Sequence, residues 1–443
     1  MKKIVLKNKG IMLVCAVYCA VSFLLFFLMI GGKAIMGPDS PSYRAPAEHL
    51  LTDTFFSSDG VKPEYYRTPG YPLFLALIYW FGGNDTAIVI VQIVLLTVKV
   101  YLSYRILLLL HTPQRLALMG AVLLLFNIQS YGYSFAIQTE PLFGFFLVVS
   151  LYFLVKYLYH GKNHWNFLAF SIACNYALLI RPILMYFNML TIIALLIFFV
   201  LKRIPFRCFS LFSLCFILIF CGWSYRNYKH SSVFIFSTIP KDSMQRYYAP
   251  IVTAHINHIK ADVRGYIEGA TDYHEKMFLR EYPEALDPSL NEAQVAMLRG
   301  KYGTSFIKAH FKEYMWVNIT GLVNMLFTPF QTTLLLKASA LSPKLFLLKL
   351  VQWFHLLYIC LIYAVYIAGL VKNNTKYRAV QISIFLVSGY LAAAAAIFAT
   401  NRYRDPFFPL LILSAFSNSD TLLRLTGDNI PVLKHLKHSL LQE

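Results

Sequence analysis

The sequence predicts an all-α polytopic membrane protein. Of its 443 residues, 58% are hydrophobic and only 14% are charged, a balance too apolar for a soluble protein of this length. Apolar runs of about 18 residues or more recur along the chain, which is the length that an α-helix needs to cross a bilayer. The 40 Lys and Arg residues outnumber the 21 Asp and Glu residues and cluster in short loops between the runs. This is the positive-inside pattern, so the positive charge indicates membrane lipid and not nucleic acid as its partner.

The first apolar run, Ile11 to Ile30, is predicted to be a retained span. It is too long for the apolar core of a cleaved signal, and it lacks a small-residue cleavage site. Four lysines precede it, so the N-terminus is predicted to be cytoplasmic and the following loop, 32–83, to lie outside. In this first outer loop a short helix is predicted over Pro46 to Leu51. Pro72 to Phe81 is too short to span and is predicted to dip into the interface.

The polar stretch that opens this loop contains Asp39 between Pro38 and Pro41. The prolines are predicted to exclude a regular helix here. A carboxylate held by stiff backbone at a bilayer boundary is costly unless it has a role. The alternative is a solvated loop acid that ends a helix, and Asp39 on its own does not decide between the two.

The remaining apolar runs predict nine further spans, which makes ten with both termini in the cytoplasm. They cover approximately 86–110, 116–137, 142–159, 165–201 (two spans, broken at Arg181-Pro182), 208–225, 345–371, 380–399 and 407–423. Lys99 and Arg105, in the inner half of the second span, are expected to extend to the cytoplasmic interface. The segment 311–336 is polar for a span. As an interfacial helix on the outer side, it leaves the basic loop 372–378 in the cytoplasm.

Three regions follow from this topology. Residues 1–228 form an N-terminal module with the first outer loop and seven spans, 229–344 form an outer helical segment, and 345–443 form a three-span module with a cytoplasmic tail. The seven cysteines all fall within apolar runs, so no disulfide framework and no cysteine metal site are predicted.

The same topology places two acids and four arginines on the outer side: Asp39, Glu140, Arg67, Arg181, Arg226 and Arg402. Each arginine alone fits a lipid-headgroup anchor. The set predicts a built anion site, because the guanidinium fork matches phosphate bidentately. Glu140 begins a span after Thr139, so it fits a helix N-terminal acid equally well.

Six short motifs carry a resemblance to known proteins. They are Asp39-x-x-x-Tyr43, Arg67-Thr68-Pro69-Gly70-Tyr71-Pro72, Thr139-Glu140-Pro141-Leu142-Phe143, Arg181-Pro182, Trp223-x-x-Arg226-Asn227-Tyr228 and Arg402-Tyr403. In this order they resemble the GT-C membrane glycosyltransferases, which include protein O-mannosyltransferases and lipid A aminoarabinose transferases. The closest resemblance in pattern is to the bacterial family-39-like (dolichyl-phosphate-mannose mannosyltransferase-like) proteins. It implies a GT-C-like helical bundle with a catalytic first outer loop.

The resemblance also implies a catalytic acid at Asp39, a polyprenyl-phosphate-linked sugar donor and an acceptor reached from the outer side. Many relatives carry two adjacent acids in this loop, whereas here Ser40 follows Asp39. The second acid therefore does not carry over, and a divalent cation stays an open alternative.

The sequence therefore predicts an inverting glycosyltransferase of the bacterial inner (plasma) membrane that acts on an envelope glycan, lipid or protein. A lipid phosphate is already a good leaving group, so the chemistry needs a base for the acceptor hydroxyl and cations for the phosphate. The predicted base is Asp39, with Glu140 as second-acid candidate; the phosphate ligands are Arg181, Arg226 and Arg402, with Tyr43, Arg67 and Tyr403 as lesser candidates. The alternative, a transporter or flippase of lipid-linked sugars, requires polar residues along a path through the spans, where the sequence shows few charges.

Overall fold

The computed structural model describes residues 9–52, 55–259, 268–330, 345–371 and 377–417. Its helices up to the outer segment are α1 (Lys9–Ile30), α2 (Ser40–Thr52), α3 (Gly70–Trp80), α4 (Asp85–Leu109), α5 (Gln114–Leu125), α6 (Ile128–Ser134), α7 (Glu140–Tyr159), α8 (His164–Ile180), α9 (Met185–Val200) and α10 (Phe206–Ser231). After these come α11 (Ile239–Ser243), a π-helical turn (Met244–Tyr248), α12 (Ala249–Ile256), α13 (Glu268–Glu281), α14 (Glu292–Ala309), α15 (Phe311–Phe327), α16 (Leu345–Val371), α17 (Arg378–Ala395) and α18 (Phe408–Ser417).

The predicted all-α polytopic class is confirmed. Seven helices of the described residues are long and apolar enough to cross a membrane, namely α1, α4, α7, α9, α10, α16 and α17. The third predicted span is broken into α5 and α6, which meet at 57°. The fifth and tenth predicted spans coincide with the shorter apolar helices α8 and α18. A count of ten spans therefore stays a prediction, and the boundary proposed at residue 228 falls inside α10.

The ambiguous segment 311–336 contains α15, which does not qualify as a span by length and composition. The rest of that segment beyond residue 330 lies outside the described residues, as do the basic loop after residue 371 and the C-terminal tail. Its placement on the outer surface stays a prediction.

The predicted topology can be tested by cysteine labelling. In a cysteine-free variant, single cysteines at Val61 and Ser289, both on exposed loops, are expected to react with an impermeant thiol reagent added from outside. A cysteine at Lys162, in the exposed turn between α7 and α8, is expected to react only after permeabilisation. Labelling of the cysteine at position 162 together with protection of the cysteine at position 61 would show that the predicted orientation is wrong.

The first outer loop is non-helical up to Asp39, but a helix begins at the next residue and includes Pro41, so the predicted exclusion of a helix is wrong from Ser40 onwards. Helix α2 begins at Ser40, immediately after Asp39, and continues to Thr52. Pro41 is tolerated because it lies in the first turn, where a backbone N–H has no partner within the helix. Pro46 lies inside the helix.

The predicted position of Lys99 at the cytoplasmic interface is also wrong. Its side chain is 3% exposed, and a β-carbon built on Gly144 of α7 would lie 3.8 Å from its Nζ. Arg404 and Asp405, which precede α18, are buried too. The buried interior therefore contains more charge than the sequence indicated.

Two short backbone contacts join the first outer loop to the start of α7. Ile35 pairs with Ala136 in a parallel bridge, with hydrogen bonds from Ile35 N to Phe135 O at 2.8 Å and from Ile137 N to Ile35 O at 3.1 Å. The Ser40 hydroxyl donates to the carbonyl of Ile137 at 2.9 Å. The residue that precedes α2 is thereby held beside the residues that precede α7.

Candidate active site

Five of the six charged residues predicted to share the outer side meet in one ion-pair network. Asp39 binds two arginines: its Oδ1 lies 2.8 Å from Nη2 of Arg67, and its Oδ2 lies 2.5 Å from Nη1 of Arg402. Glu140 also binds two arginines, because its Oε1 accepts from Nη2 of Arg181 at 2.5 Å and from Nε of Arg402. Arg402 therefore bridges the two carboxylates.

The two acids of the network differ in access. The Asp39 side chain is 30% exposed, whereas Glu140 is fully buried. A group that takes a proton from a bound molecule must reach that proton, and of these two acids only Asp39 is exposed enough to do so. Glu140 is placed to orient Arg181 and Arg402, and Gln138 assists by accepting from Nη2 of Arg402 at 2.5 Å.

Arg67 is held by the helix that follows Asp39. Its Nε donates to the hydroxyl of Ser42 at 2.9 Å, and its Nη1 donates to the hydroxyl of Tyr43 at 3.0 Å. Its guanidinium carbon also lies 4.4 Å from the centre of the Tyr43 ring. These contacts engage all three nitrogens of the guanidinium, so Arg67 is placed to fix Asp39 and Tyr43 is placed to fix Arg67.

The motif from Arg67 to Gly70 packs against the end of α8, immediately before Arg181. A β-carbon on Gly70 would lie 2.5 Å from the backbone carbon of Leu179, so no larger residue fits without displacement of the backbone. The hydroxyl of Tyr176 donates to the carbonyl of Gly70 at 3.0 Å. This close approach brings Arg67 and Arg181 to the same pair of carboxylates, those of Asp39 and Glu140.

Arg402 is supported by the turn in which it lies. Arg404, two residues later, donates to the carbonyls of Leu326 at 2.6 Å and Thr328 at 3.0 Å, at the C-terminus of α15. A guanidinium there also favours the negative end of the helix macrodipole. Asp405 accepts from the hydroxyl of Ser130 at 2.6 Å. Both contacts hold the turn against neighbouring helices. The sequence motifs did not indicate these roles for Arg404 and Asp405.

The structure does not bring Arg226 into contact with this network. Its Nη1 donates to the carbonyl of Glu64 and its Nη2 to the carbonyl of Phe56, both at 2.7 Å. The guanidinium carbon lies 5.0 Å from the ring of Trp223. Arg226 therefore anchors the outer loop that leads to Arg67, a role that the motif spacing did not reveal.

Tyr403 lies beside the network. Among the described residues, its side chain makes no hydrogen bond to the charged residues of the network. The guanidinium carbon of Arg181 is 5.5 Å from its ring centre. The Nε of the same arginine donates to the hydroxyl of Thr139 at 2.8 Å. Tyr403 thus covers one face of Arg181 while Thr139 and Glu140 hold its edge.

The charge balance of the network keeps Asp39 ionised. Burial acts to raise the pKa of Asp39, but the guanidinium groups of Arg402 and Arg67 outweigh it and hold this pKa well below its usual range. Three arginines face two carboxylates here, so one positive charge remains for a ligand. An anion is the ligand that this excess favours.

The donor set fits a metal ion poorly. The described residues contain no group of three or more His, Cys, Asp and Glu side chains arranged to ligate one. A divalent cation bound by Asp39 would have to displace a guanidinium group, because Arg67 and Arg402 occupy its two carboxylate oxygens. We therefore assign no step to a metal.

Part of this site lies in a segment of the chain that is similar to a known family. Residues 78–181 match the sequence model of the dolichyl-phosphate-mannose-protein mannosyltransferase family. This match confirms the predicted resemblance to the mannosyltransferase family over this segment of the chain. The matched residues include Glu140 and Arg181 but not Asp39, Arg67 or Arg402. No curated protein sequence matches the chain significantly.

Two solved structures resemble the chain at low sequence identity. One is the archaeal oligosaccharyltransferase AglB from Archaeoglobus fulgidus, in complex with an inhibitory peptide and a dolichol-phosphate. It is 12% identical, with a TM-score of 0.48, over 99% of this chain and 52% of that one. The other is ArnT from Cupriavidus metallidurans bound to undecaprenyl phosphate, 11% identical with a TM-score of 0.39, over 93% of this chain and 79% of that one. The chain spans about half the length of the archaeal protein.

Proposed function

We propose that this protein transfers a sugar from a polyprenyl-phosphate-linked donor to an acceptor hydroxyl on the outer side of the membrane, with inversion at the anomeric carbon. The observation that carries the proposal is the position of Arg402, which binds the exposed carboxylate of Asp39 and the buried carboxylate of Glu140 at once. A cation shared in this way can stabilise negative charge both on the base and on a leaving group, while that charge moves from one to the other.

In the proposed reaction, the acceptor oxygen attacks the anomeric carbon while Asp39 takes the hydroxyl proton. The bond between that carbon and the phosphate oxygen breaks, and the polyprenyl phosphate leaves with the electron pair. Asp39 becomes neutral as the phosphate gains one negative charge, so the total charge facing the arginines does not change. Because the acceptor oxygen displaces the phosphate in a single step, the configuration at the anomeric carbon is inverted.

Arg402 and Arg181 are the proposed phosphate ligands. Both are held in place by Glu140, so their orientation is fixed before the donor binds. Fixed donors that face developing charge in a partly buried site stabilise the transition state without reorganisation. Binding of the phosphate to Arg402 would also weaken the pair between Arg402 and Asp39. That exchange raises the proton affinity of Asp39 and makes it a more effective base.

A membrane position of the donor fits this chain. The isoprenoid tail lies in the bilayer, and the phosphate lies at the depth of the boundary at which α7 begins with Glu140. A nucleotide sugar has no tail to place its phosphate at this depth. We infer that the site is built for a lipid phosphate.

The proposal is tested with purified protein in liposomes and an envelope extract as the source of acceptor. The expected result is release of polyprenyl phosphate from a polyprenyl-phosphate sugar when the extract is added, and no turnover of nucleotide sugars. A flippase would move the donor across the bilayer and leave its phosphodiester intact, so release separates the two functions. Sugar transfer from a nucleotide sugar in the absence of lipid donor would overturn the proposal.

A further inference from the structure

The junction between helices α5 and α6, which meet at 57°, is polar and buried. Asn127 lies at the junction with a backbone ψ of 77°, outside the helical range. Asn127, Gln129 and Ser130 each expose 5% of their surface or less. Burial of polar groups is costly unless they are hydrogen-bonded. The junction therefore needs polar partners, and the turn that carries Arg402 provides them.

Gln129 binds this turn on both sides of Arg402. Its Nε2 donates to the carbonyl oxygen of Asn401 at 2.6 Å, and its Oε1 accepts from Nη2 of Arg404 at 2.9 Å. A carbonyl can only accept and a guanidinium can only donate, so these two partners fix the orientation of the amide. One buried side chain thus joins the residue before Arg402 to the guanidinium two residues after it.

The first of these contacts acts on the peptide group of Arg402 itself. The carbonyl of Asn401 and the N–H of Arg402 belong to one planar peptide group. That N–H donates to Oγ1 of Thr400 at 3.2 Å, and the carbonyl also accepts from the backbone N–H of Arg404 at 3.0 Å. Both polar atoms of the peptide group are therefore held. Its orientation sets the direction in which the Arg402 side chain leaves the backbone.

The guanidinium of Arg402 depends on that direction. Its three nitrogens bind three different partners, Asp39, Glu140 and Gln138. A fork bound at three points tolerates little displacement of its backbone. At a reacting centre, a misplacement of about 1 Å can lower a rate by roughly a hundredfold. A residue that fixes the peptide group of Arg402 therefore affects the site without contact to either carboxylate.

We infer that Gln129 is a positioning residue of the proposed transfer site, where it acts on the donor phosphate through Arg402. This inference rests on the proposed function and adds a residue to its phosphate site. Two neighbours of Gln129 support the same turn, because Ser130 and Asn127 donate to Oδ1 of Asp405 at 2.6 and 3.1 Å. The bend between α5 and α6 then has a role in the reaction, since it places Gln129 against the turn.

The inference is tested with Gln129→Glu, Arg402→Ala and the double variant, each as the full chain in nanodiscs. Glutamate keeps the size of the side chain and an acceptor for Arg404, but a carboxylate cannot donate to the carbonyl of Asn401. Affinity for polyprenyl phosphate, measured by native mass spectrometry, is expected to fall about tenfold in Gln129→Glu. In the Arg402→Ala background the same change is expected to lower it less than about twofold, because no guanidinium remains to be misplaced.

The matched control is Gln245→Met. Gln245 is also a fully buried glutamine, but its Nε2 donates to Glu275 of the outer helical segment at 2.9 Å. This variant is expected to melt at a lower temperature and to bind polyprenyl phosphate as the wild type does. Gln129→Met, which loses both hydrogen bonds, is the second variant for the case in which the new carboxylate prevents folding.

A purely structural role of Gln129 predicts equal losses of affinity with and without Arg402. That result, or an unchanged affinity in Gln129→Glu, would overturn the inference. Melting temperatures of the same variants test it without a ligand: the loss caused by Gln129→Glu is expected to be smaller in Arg402→Ala, where the contacts with Asp39 and Glu140 are already gone. If the wild type neither binds polyprenyl phosphate nor releases it from a donor, the proposed function is overturned. The melting temperatures then decide the role of Gln129, and additive losses would overturn it.

Discussion

Replacing Asp39 by Asn is expected to lower turnover of a lipid-linked sugar by about a hundredfold or more, the usual effect of losing a general base. The amide keeps the size of the side chain and cannot accept the acceptor proton. Donor binding is expected to persist, because Arg67 and Arg402 then face one negative charge fewer. The measurement is release of polyprenyl phosphate at saturating donor, together with donor affinity.

The effect of Asp39→Asn on stability is expected to depend on pH, because the pKa of Asp39 is depressed in the folded protein. A carboxylate whose pKa is lower in the folded state stabilises that state above its ordinary pKa of about 4, and the stabilisation is lost as the pH falls towards the folded value. The difference in melting temperature between wild type and Asp39→Asn is therefore expected to stay constant from pH 8 to about pH 5. It should narrow only at lower pH.

The matched control is Glu48→Gln, which removes an acid from α2, the helix that follows Asp39. Glu48 is half exposed and pairs with Arg44 at 2.9 Å, away from Asp39. Turnover of this variant is expected to equal that of the wild type. If Asp39→Asn retained near-normal turnover, Asp39 would not be the base.

Replacing Arg402 by Ala is expected to reduce donor use about ten- to a hundredfold. A charge-assisted hydrogen bond to phosphate contributes about 1.5–3 kcal/mol, which converts to that range. Arg402→Lys is expected to recover only part of the loss, because an ammonium group cannot bind Asp39, Glu140 and Gln138 through separate nitrogens of one fork. The measurement is the KM for donor and the turnover in the release assay.

Two further arginine variants serve as controls that distinguish loss of a phosphate ligand from other effects of removing an arginine. Arg280→Ala, at an exposed position of α13, is expected to leave donor use unchanged. Arg226→Ala is expected to increase proteolysis of the loop from Phe56 to Glu64, since the carbonyls of both residues lose the hydrogen bond from Arg226. A KM for donor that is unchanged in Arg402→Ala would remove Arg402 from the phosphate site.

Much of this architecture follows from sequence patterns that report local properties. Apolar runs predicted the helices because burial in a bilayer depends on each segment by itself. The charged residues of the network were recognised as a set from the predicted topology, and five of six do meet. Their pairing could not be predicted, because Arg402 reaches Asp39 and Glu140 across 363 and 262 residues of sequence.

The predictions that were wrong or incomplete concern residues whose environment is set by distant packing. Lys99 was expected at the interface because lysine commonly extends there, but the neighbouring Gly144 leaves its side chain space inside the bundle. Arg226 was grouped with the phosphate ligands because the predicted topology places it on the same side of the membrane. Its actual partners are backbone carbonyls, which carry no signal in a sequence.

The position of Arg402 also has a consequence for how the protein is made. Asp39, Arg67, Glu140 and Arg181 leave the ribosome early, and the arginine that bridges the two acids emerges 363 residues after Asp39. At about 5–20 residues per second, roughly 20 to 70 s separate these two events. Until then Glu140 has one arginine partner in place of two. A chain that stops short of Arg402 would therefore contain most of the described helices yet lack the cation that joins its two acids, so the ion-pair network is complete only after residue 402 has been made.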